Sequence, residues 1–100
     1  MAEKKEAKRG IQVAFPDILK GGVYSNIMHV THTREEFVLD FLVVLPPAGA
    51  VTARVITSPG HIKRMIAALQ QNLQKYEASF GSVAEAPEPP RPLGFQPPPK

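Results

Sequence analysis

The sequence contains no cysteine. Disulfides therefore cannot stabilise the fold, and Cys-ligated metals and thiol nucleophiles are excluded. It also lacks any apolar run near the length of about 20 residues that crosses a bilayer. The charged N-terminus is followed by no apolar stretch, which argues against a secretory signal. We therefore expect a cytoplasmic protein that has no membrane-spanning segment.

With 100 residues, the chain holds one domain at most. Residues 1–9 alternate in charge without hydrophobic periodicity, and residues 83–100 contain seven of the eleven prolines. We expect both ends to be disordered tails around a single domain over residues 10–82. A core of that size is marginal for a monomer, and oligomerisation is a natural remedy.

A net charge of +3 would suit an anionic partner, but most of this charge lies outside the predicted domain. Residues 1–9 carry +2, residues 10–82 carry +1, and residues 83–100 are neutral. A nucleic-acid surface normally shows a basic stripe, and the predicted domain has none.

Strand patterns dominate the first half of the domain. Alternating or β-branched apolar residues predict four strands, over residues 10–15, 23–32, 36–45 and 51–57. Pro46 to Gly49 is expected to form a loop. The short connections between the last three strands favour antiparallel hairpins over parallel crossovers.

One long helix follows the strands. Ser58 and Pro59 are suited to its N-cap and first position, and Gly81 to the stop. In between, apolar residues recur every three or four positions. About 22 residues would span roughly 33 Å, which exceeds the length of the strands. The sequence thus predicts an α+β fold, a four-stranded antiparallel sheet with one face under a C-terminal helix (ββββα).

No catalytic constellation is recognisable. His29 and His32 are three apart on a strand, so they point to opposite faces and cannot chelate one metal. Asp40 could be a buried general acid with a raised pKa, and it would face near Arg54 or Ile56 across the hairpin. The favoured interpretation is a cross-strand ion pair or a hydrogen-bonded interface carboxylate. We expect no catalytic residue, no metal site and no cofactor. Ligand contacts from Tyr24, Asn26 or Thr31 are less favoured than a structural or solvated role.

The helix pattern also fits a heptad seam, so one edge could pair with a second subunit. The residues predicted for a dimer or higher oligomer lie on the third strand and the helix. They are Leu42, Val44, Met65, Leu69, Leu73, Tyr76 and Phe80.

Several short blocks resemble one prokaryotic family, domain of unknown function 3467. The blocks are Gly22-Val23-Tyr24-Ser25-Asn26, His32-Thr33, Glu36-Phe37, Asp40-Phe41, Leu45-Pro46, Thr57-Ser58-Pro59, Lys75-Tyr76-Glu77 and Phe80-Gly81. The resemblance covers about residues 11–81 and implies a stand-alone bacterial or archaeal cytoplasmic domain. It implies no activity and no catalytic residue.

A second resemblance is architectural. Four strands and a pairing helix look like the dimers of single-stranded-DNA-binding transcriptional cofactors and plant Whirly proteins, which is a weak guide to function. On that analogy the open sheet face would offer Tyr24, His29, His32 and Arg54 to nucleic acid.

Two functions are therefore expected, in order of preference. The first is a small, non-enzymatic, homo-oligomeric module that binds another macromolecule, with a protein as the favoured partner. The second is a single-stranded nucleic-acid-binding protein that uses the sheet face. The proline-rich tail, with Pro89 and Pro92 in PxxP spacing, also resembles a ligand of aromatic-grooved domains, although a solvated tail is favoured.

Overall fold

A computed structural model describes residues 10–89 and 92–95. It contains a short 3₁₀ helix at Asp17–Leu19, then β1 (Ile27–His32), β2 (Phe37–Leu45), β3 (Ala48–Thr57) and the helix α1 (Pro59–Phe80). The chain divides into two compact units, Met1–Ile62 and Lys63–Lys100. The α+β class and the antiparallel sheet are confirmed. No helix among the described residues combines the length and apolarity needed to cross a membrane.

The sheet has three strands in the order β1-β2-β3. Both pairings are antiparallel, so the two predicted hairpins are present. The first turn, residues 33–36, is closed by Thr33, whose hydroxyl accepts hydrogen bonds from the backbone N–H groups of Glu35 and Glu36. Such a local side-chain acceptor favours a turn over a continued strand.

The fourth predicted strand, over residues 10–15, is absent: these described residues form neither helix nor strand. Its alternation of Ile11, Val13 and Phe15 is real. However, alternation indicates only which side chains could be covered. A strand also needs a neighbouring strand that pairs with its backbone, and residues 10–15 pair with none of the described strands.

The β2–β3 hairpin is tighter than predicted. The turn is confined to Pro46 and Pro47, and β3 begins at Ala48 instead of residue 51. Gly49 pairs with Val44. A Cβ at Gly49 would lie 3.0 Å from a Val44 side-chain carbon and 3.1 Å from the Val43 carbonyl oxygen. Glycine therefore allows the strands to approach here, and the sequence pattern misread it as a loop residue.

The buried centre is small and lies on the middle strand. Among the described residues, only Leu39, Asp40 and Leu42 are buried. Because successive residues of a strand face opposite sides, Leu39 is covered on one face, and Asp40 and Leu42 on the other. Burial on both faces fits the central position of β2 in the sheet.

Helix α1 has the predicted ends. The Ser58 hydroxyl accepts a hydrogen bond from the His61 backbone N–H at 3.1 Å, and Pro59 is the first helical residue. At the other end, Gly81 has φ of +92° and its N–H donates to the Glu77 carbonyl at 2.8 Å. None of the helix residues is buried. Packing of this helix on a sheet face remains a prediction.

The predicted tails are only partly described. Residues 1–9 lie outside the described residues, as do two positions of the PxxP segment, 90 and 91. Residues 81–89 and 92–95 form neither helix nor strand.

Candidate functional site

A polar row crosses the sheet at its centre. His29 on β1 is the cross-strand partner of Asp40 on β2, and Asp40 is the partner of Arg54 on β3. Directly opposed residues share one face of a sheet, so the three side chains stand side by side. We call His29, Asp40 and Arg54 the polar row.

Arg54 holds Asp40 in a bidentate ion pair. Its Nε donates to Asp40 Oδ1 at 2.6 Å, and its second terminal nitrogen donates to Oδ2 at 2.9 Å. The Asp40 side chain is 6% exposed, whereas that of Arg54 is 63% exposed. The fork of the guanidinium matches both carboxylate oxygens. Of the two interpretations that the sequence favoured for Asp40, the cross-strand ion pair is confirmed.

This pairing makes Asp40 a poor proton donor. The hydrogen bonds from Arg54 lower the pKa of Asp40 from its usual 3.8. Burial opposes that shift, and the charges of Arg54 and His29 add to it. The same pair raises the pKa of Arg54. A general acid would need a raised carboxyl pKa, whereas the pKa of Asp40 is lowered.

The four residues proposed for nucleic acid do not share one surface. His29 and Arg54 belong to the polar row. His32 pairs with Phe37 on the opposite face and stacks on its ring at a centroid distance of 5.1 Å. Tyr24 precedes β1 and is exposed. The separation of the two histidines onto opposite faces follows the strand alternation, as predicted.

Ser25 and Asn26 have a structural role that the sequence did not reveal. The Asn26 amide donates to the Val44 carbonyl at 2.9 Å and accepts from the Val44 N–H at 2.8 Å. With these two bonds, the side chain of Asn26 extends the hydrogen-bonded pairing of β1 with β2 by one residue. The Ser25 hydroxyl lies 2.9 Å from the Leu42 carbonyl oxygen. The side-chain amide of Asn26 therefore contributes to the pairing of β1 with β2.

A shallow, open concavity of about 540 Å³ lies beside this segment. It is lined by Val23, Tyr24, Ser25, Asn26, Ile27, Met28 and Phe41. Of its polar side chains, those of Ser25 and Asn26 already bond to the backbone of β2. A ligand site needs converging polar groups in an enclosing pocket, and this concavity does not offer them. No group of three or more potential metal ligands occurs within the described part of the chain.

The sheet face opposite the polar row is largely apolar, although His32 and Thr57 also lie on it. We call eight of its apolar residues the apolar face. Its members are Met28, Val30, Phe37, Leu39, Phe41, Val43, Ala53 and Val55. Leu39 at the centre is buried, but Met28, Val30 and Val55 on the outer strands are exposed.

Helix α1 carries a second exposed apolar surface, which we call the helix face. Its five large residues are between 49% and 76% exposed. They are Ile66, Leu69, Leu73, Tyr76 and Phe80. The rings of Tyr76 and Phe80, one turn apart, lie 5.0 Å from each other.

The predicted oligomer residues are distributed unevenly with respect to these surfaces. Leu69, Leu73, Tyr76 and Phe80 belong to the helix face, and Met65 is half-buried. Val44 is half-buried as well. Leu42 is buried within the single chain, because it lies at the sheet centre, so it has almost no surface to offer a partner.

Comparison with known proteins identifies a family but no characterised relative. A family model described as protein of unknown function (DUF3467) matches residues 1–85. No curated protein and no solved structure matches the chain.

Proposed function

We propose that this chain, which belongs to the DUF3467 family of proteins of unknown function, is a small non-enzymatic module that self-associates and binds another protein. The observation that carries the proposal is the helix face. Five large apolar side chains lie along one side of α1, each about half exposed or more. Contiguous exposed apolar patches of this kind mark interaction sites in soluble proteins.

Helical spacing supports a partner of protein nature. The helix face repeats at steps of three and four residues from Ile66 to Phe80, which suits packing against another helix or a sheet. Three polar residues on other sides of the helix, Gln70, Gln71 and Gln74, keep it amphipathic. A second copy is the simplest partner, since twofold pairing buries the same surface on both subunits.

The small number of buried apolar residues also supports self-association. Two buried apolar residues, Leu39 and Leu42, are few for a domain that orders a sheet and a 22-residue helix. Small domains commonly overcome this shortage by oligomerisation. Self-association would cover both the helix face and the outer strands of the apolar face.

Single-stranded nucleic acid is the less favoured partner. Arg54 is the cation of the polar row, and Asp40 compensates its charge at 2.6 Å. His32 lies on the other face. Binding through a basic groove would weaken steeply as salt rises. A labelled oligonucleotide that binds tightly at low salt and dissociates at high salt would favour this alternative.

The helix face is tested with two matched substitutions, Leu69→Glu and Gln71→Glu. Both place one glutamate, a good helix former, on α1, but residue 71 lies on the opposite side from the helix face. Loss of a buried leucine contact should weaken association about tenfold or more, whereas Gln71→Glu should leave it nearly unchanged. Light scattering during size-exclusion chromatography of the full chain measures the mass.

The outcomes separate cleanly, provided that circular dichroism shows both variants to be helical. Wild-type chain that remains monomeric at high concentration would contradict self-association. An oligomer equally insensitive to both substitutions would contradict the helix face as its contact surface.

A further inference from the structure

Residues 10–15 carry a strand pattern that the single chain does not use. Ile11, Val13 and Phe15 are 92%, 84% and 68% exposed. Among the described residues, no backbone hydrogen bond joins this segment to another one. We call residues 10–15 the donor segment. Three large apolar side chains alternating with Gln12 and Ala14 form a half-buried strand only beside an edge.

An unprotected edge is present on β3. Because the sheet order is β1-β2-β3, β3 has a neighbour on one side only within the described part of the chain. It is ten residues long and contains no proline, lysine or acidic residue. Its one charge, Arg54, turns inward to Asp40. Natural edge strands are usually shortened, charged or interrupted by proline to prevent pairing, and β3 has only its bulge opposite Phe41 and Leu42.

The chain between the donor segment and β1 leads toward β3. The Thr52 hydroxyl on β3 donates to the Phe41 carbonyl at 3.0 Å and also lies 3.4 Å from the Tyr24 carbonyl oxygen. Tyr24 is therefore close to the third strand although it precedes the first. The other edge strand, β1, is shorter, with six residues.

We propose that the donor segment of one copy pairs with the outer edge of β3 in a second copy and completes a four-stranded sheet. The proposal rests on the self-association proposed above and assigns it a second contact. The single chain holds both the segment and the edge and leaves them unjoined, which favours pairing between copies. Residues 16–23, which connect the donor segment to Tyr24, span at most roughly 29 Å. A reciprocal exchange about a twofold axis therefore requires the β3 edges of the two copies to lie next to each other.

Pairing would give hydrogen-bond partners to the outer edge of β3 and would bury the apolar side chains of the donor segment. The backbone groups of β3 that point outward would gain donors and acceptors from the segment. Ile11, Val13 and Phe15 would extend the apolar face next to Val55, while Gln12 and Ala14 would face the side of the polar row. The fourth strand would then be real in the assembly and absent from the single chain.

The side-chain direction is tested by Val13→Asp against Gln12→Asp. Both add one carboxylate to the donor segment, but only residue 13 would be covered after pairing. Val13→Asp should raise the dissociation constant of the full-length dimer about tenfold or more, because a buried valine is lost and a charge is placed against apolar surface. Gln12→Asp should change it less than about twofold. Equal effects of the two substitutions would overturn the proposal.

The edge is tested by cross-linking, which the absence of native cysteine makes unambiguous. Gln12→Cys chains carrying an affinity tag are mixed with untagged Ile56→Cys or Thr31→Cys chains and treated with a short bismaleimide. Ile56 and Thr31 are both partners of Val38, so they lie on the same face at the two opposite edges. The proposal expects a tagged–untagged product with Ile56→Cys and little with Thr31→Cys.

Failure of this inference is distinguishable from failure of the proposed function. A preference for Thr31→Cys overturns the assignment to β3. Cross-linking of a doubly substituted Gln12→Cys, Ile56→Cys chain only within itself overturns exchange between copies. In both cases a dimer that depends on Leu69 would leave the proposed function intact, whereas a wild-type monomer would overturn both.

Discussion

At the scale of single residues, the best-defined interaction is the ion pair between Asp40 and Arg54. A carboxylate that is almost completely covered requires a partner, and Arg54 provides two hydrogen bonds from the neighbouring strand. The pair fixes the register at the sheet centre, since a shift of one residue would move Asp40 to the other face. Its role in the fold is therefore structural.

The ion pair predicts how stability depends on pH. The pKa of Asp40 is lower in the folded chain than its usual 3.8. Its contribution is thus fully present above that value and is lost as pH falls through the folded-state pKa. Asp40→Asn removes this contribution, so the stability difference between wild type and variant should be largest near neutral pH and shrink below about pH 4. Urea denaturation across this range measures it.

Asp17→Asn is the matched control for that measurement. Asp17 also forms an ion pair, with Lys20 at 2.8 Å, but its side chain is 91% exposed. Exposed pairs contribute little, so this variant should follow the wild-type curve. A gap between wild type and Asp40→Asn that stays constant down to about pH 2 would show that the pair does not titrate as proposed.

At the scale of elements, helix α1 is defined by its ends more than by its surroundings. Ser58 caps the first turn, and Gly81 adopts the left-handed conformation that ends it. Both are local interactions between residues a few positions apart. This explains why the helix bounds could be predicted from the sequence to the residue, although none of its side chains is buried.

Removing the N-cap should destabilise the chain measurably. Ser58→Ala deletes the acceptor for the His61 N–H, and loss of such a cap usually costs about 1 kcal/mol. Ser82→Ala, just beyond the helix, serves as the control because no hydrogen bond of its side chain is part of the helix cap. Thermal denaturation followed at 222 nm should give a lower midpoint for Ser58→Ala only. Equal midpoints for both variants would argue against a stabilising cap.

At the scale of the whole molecule, buried and exposed apolar surface are out of balance. Leu39 and Leu42 are the buried apolar residues of the described chain, whereas the helix face and the outer strands of the apolar face are exposed. Burial of apolar area is the main favourable term in folding. Folding and assembly of this protein should consequently be coupled.

Coupling predicts a denaturation midpoint that depends on protein concentration. When the folded state associates and the unfolded state does not, mass action stabilises the folded state as concentration rises. The midpoint of wild-type chain should therefore increase over a hundredfold dilution series. Leu69→Glu should flatten that dependence, and Gln71→Glu should not. A midpoint independent of concentration for all three chains would mean that each subunit folds alone.

The sequence could predict those features that depend on local chemistry or on side-chain direction. The helix bounds follow from Ser58, Pro59 and Gly81. The opposite faces of His29 and His32, and the pairing of Asp40 with Arg54, follow from strand alternation and one hairpin. Features that depend on a close contact between two strands or between a side chain and a neighbouring strand were not predicted. Gly49 resembled a loop residue, and Asn26 resembled a surface residue, because the contact with Val44 is invisible in sequence.

By itself, the sequence determined the periodicities: four strand patterns, of which three pair in the structure, and one helix with defined ends. It also indicated a family of unknown function. Only the tertiary structure decided which apolar residues are covered. In the described chain, Leu42 is buried, the helix face is exposed, and residues 10–15 pair with no strand. The physical reason is that periodicity shows which apolar side chains lie on one side of an element. Their burial also requires a second surface that packs against that side.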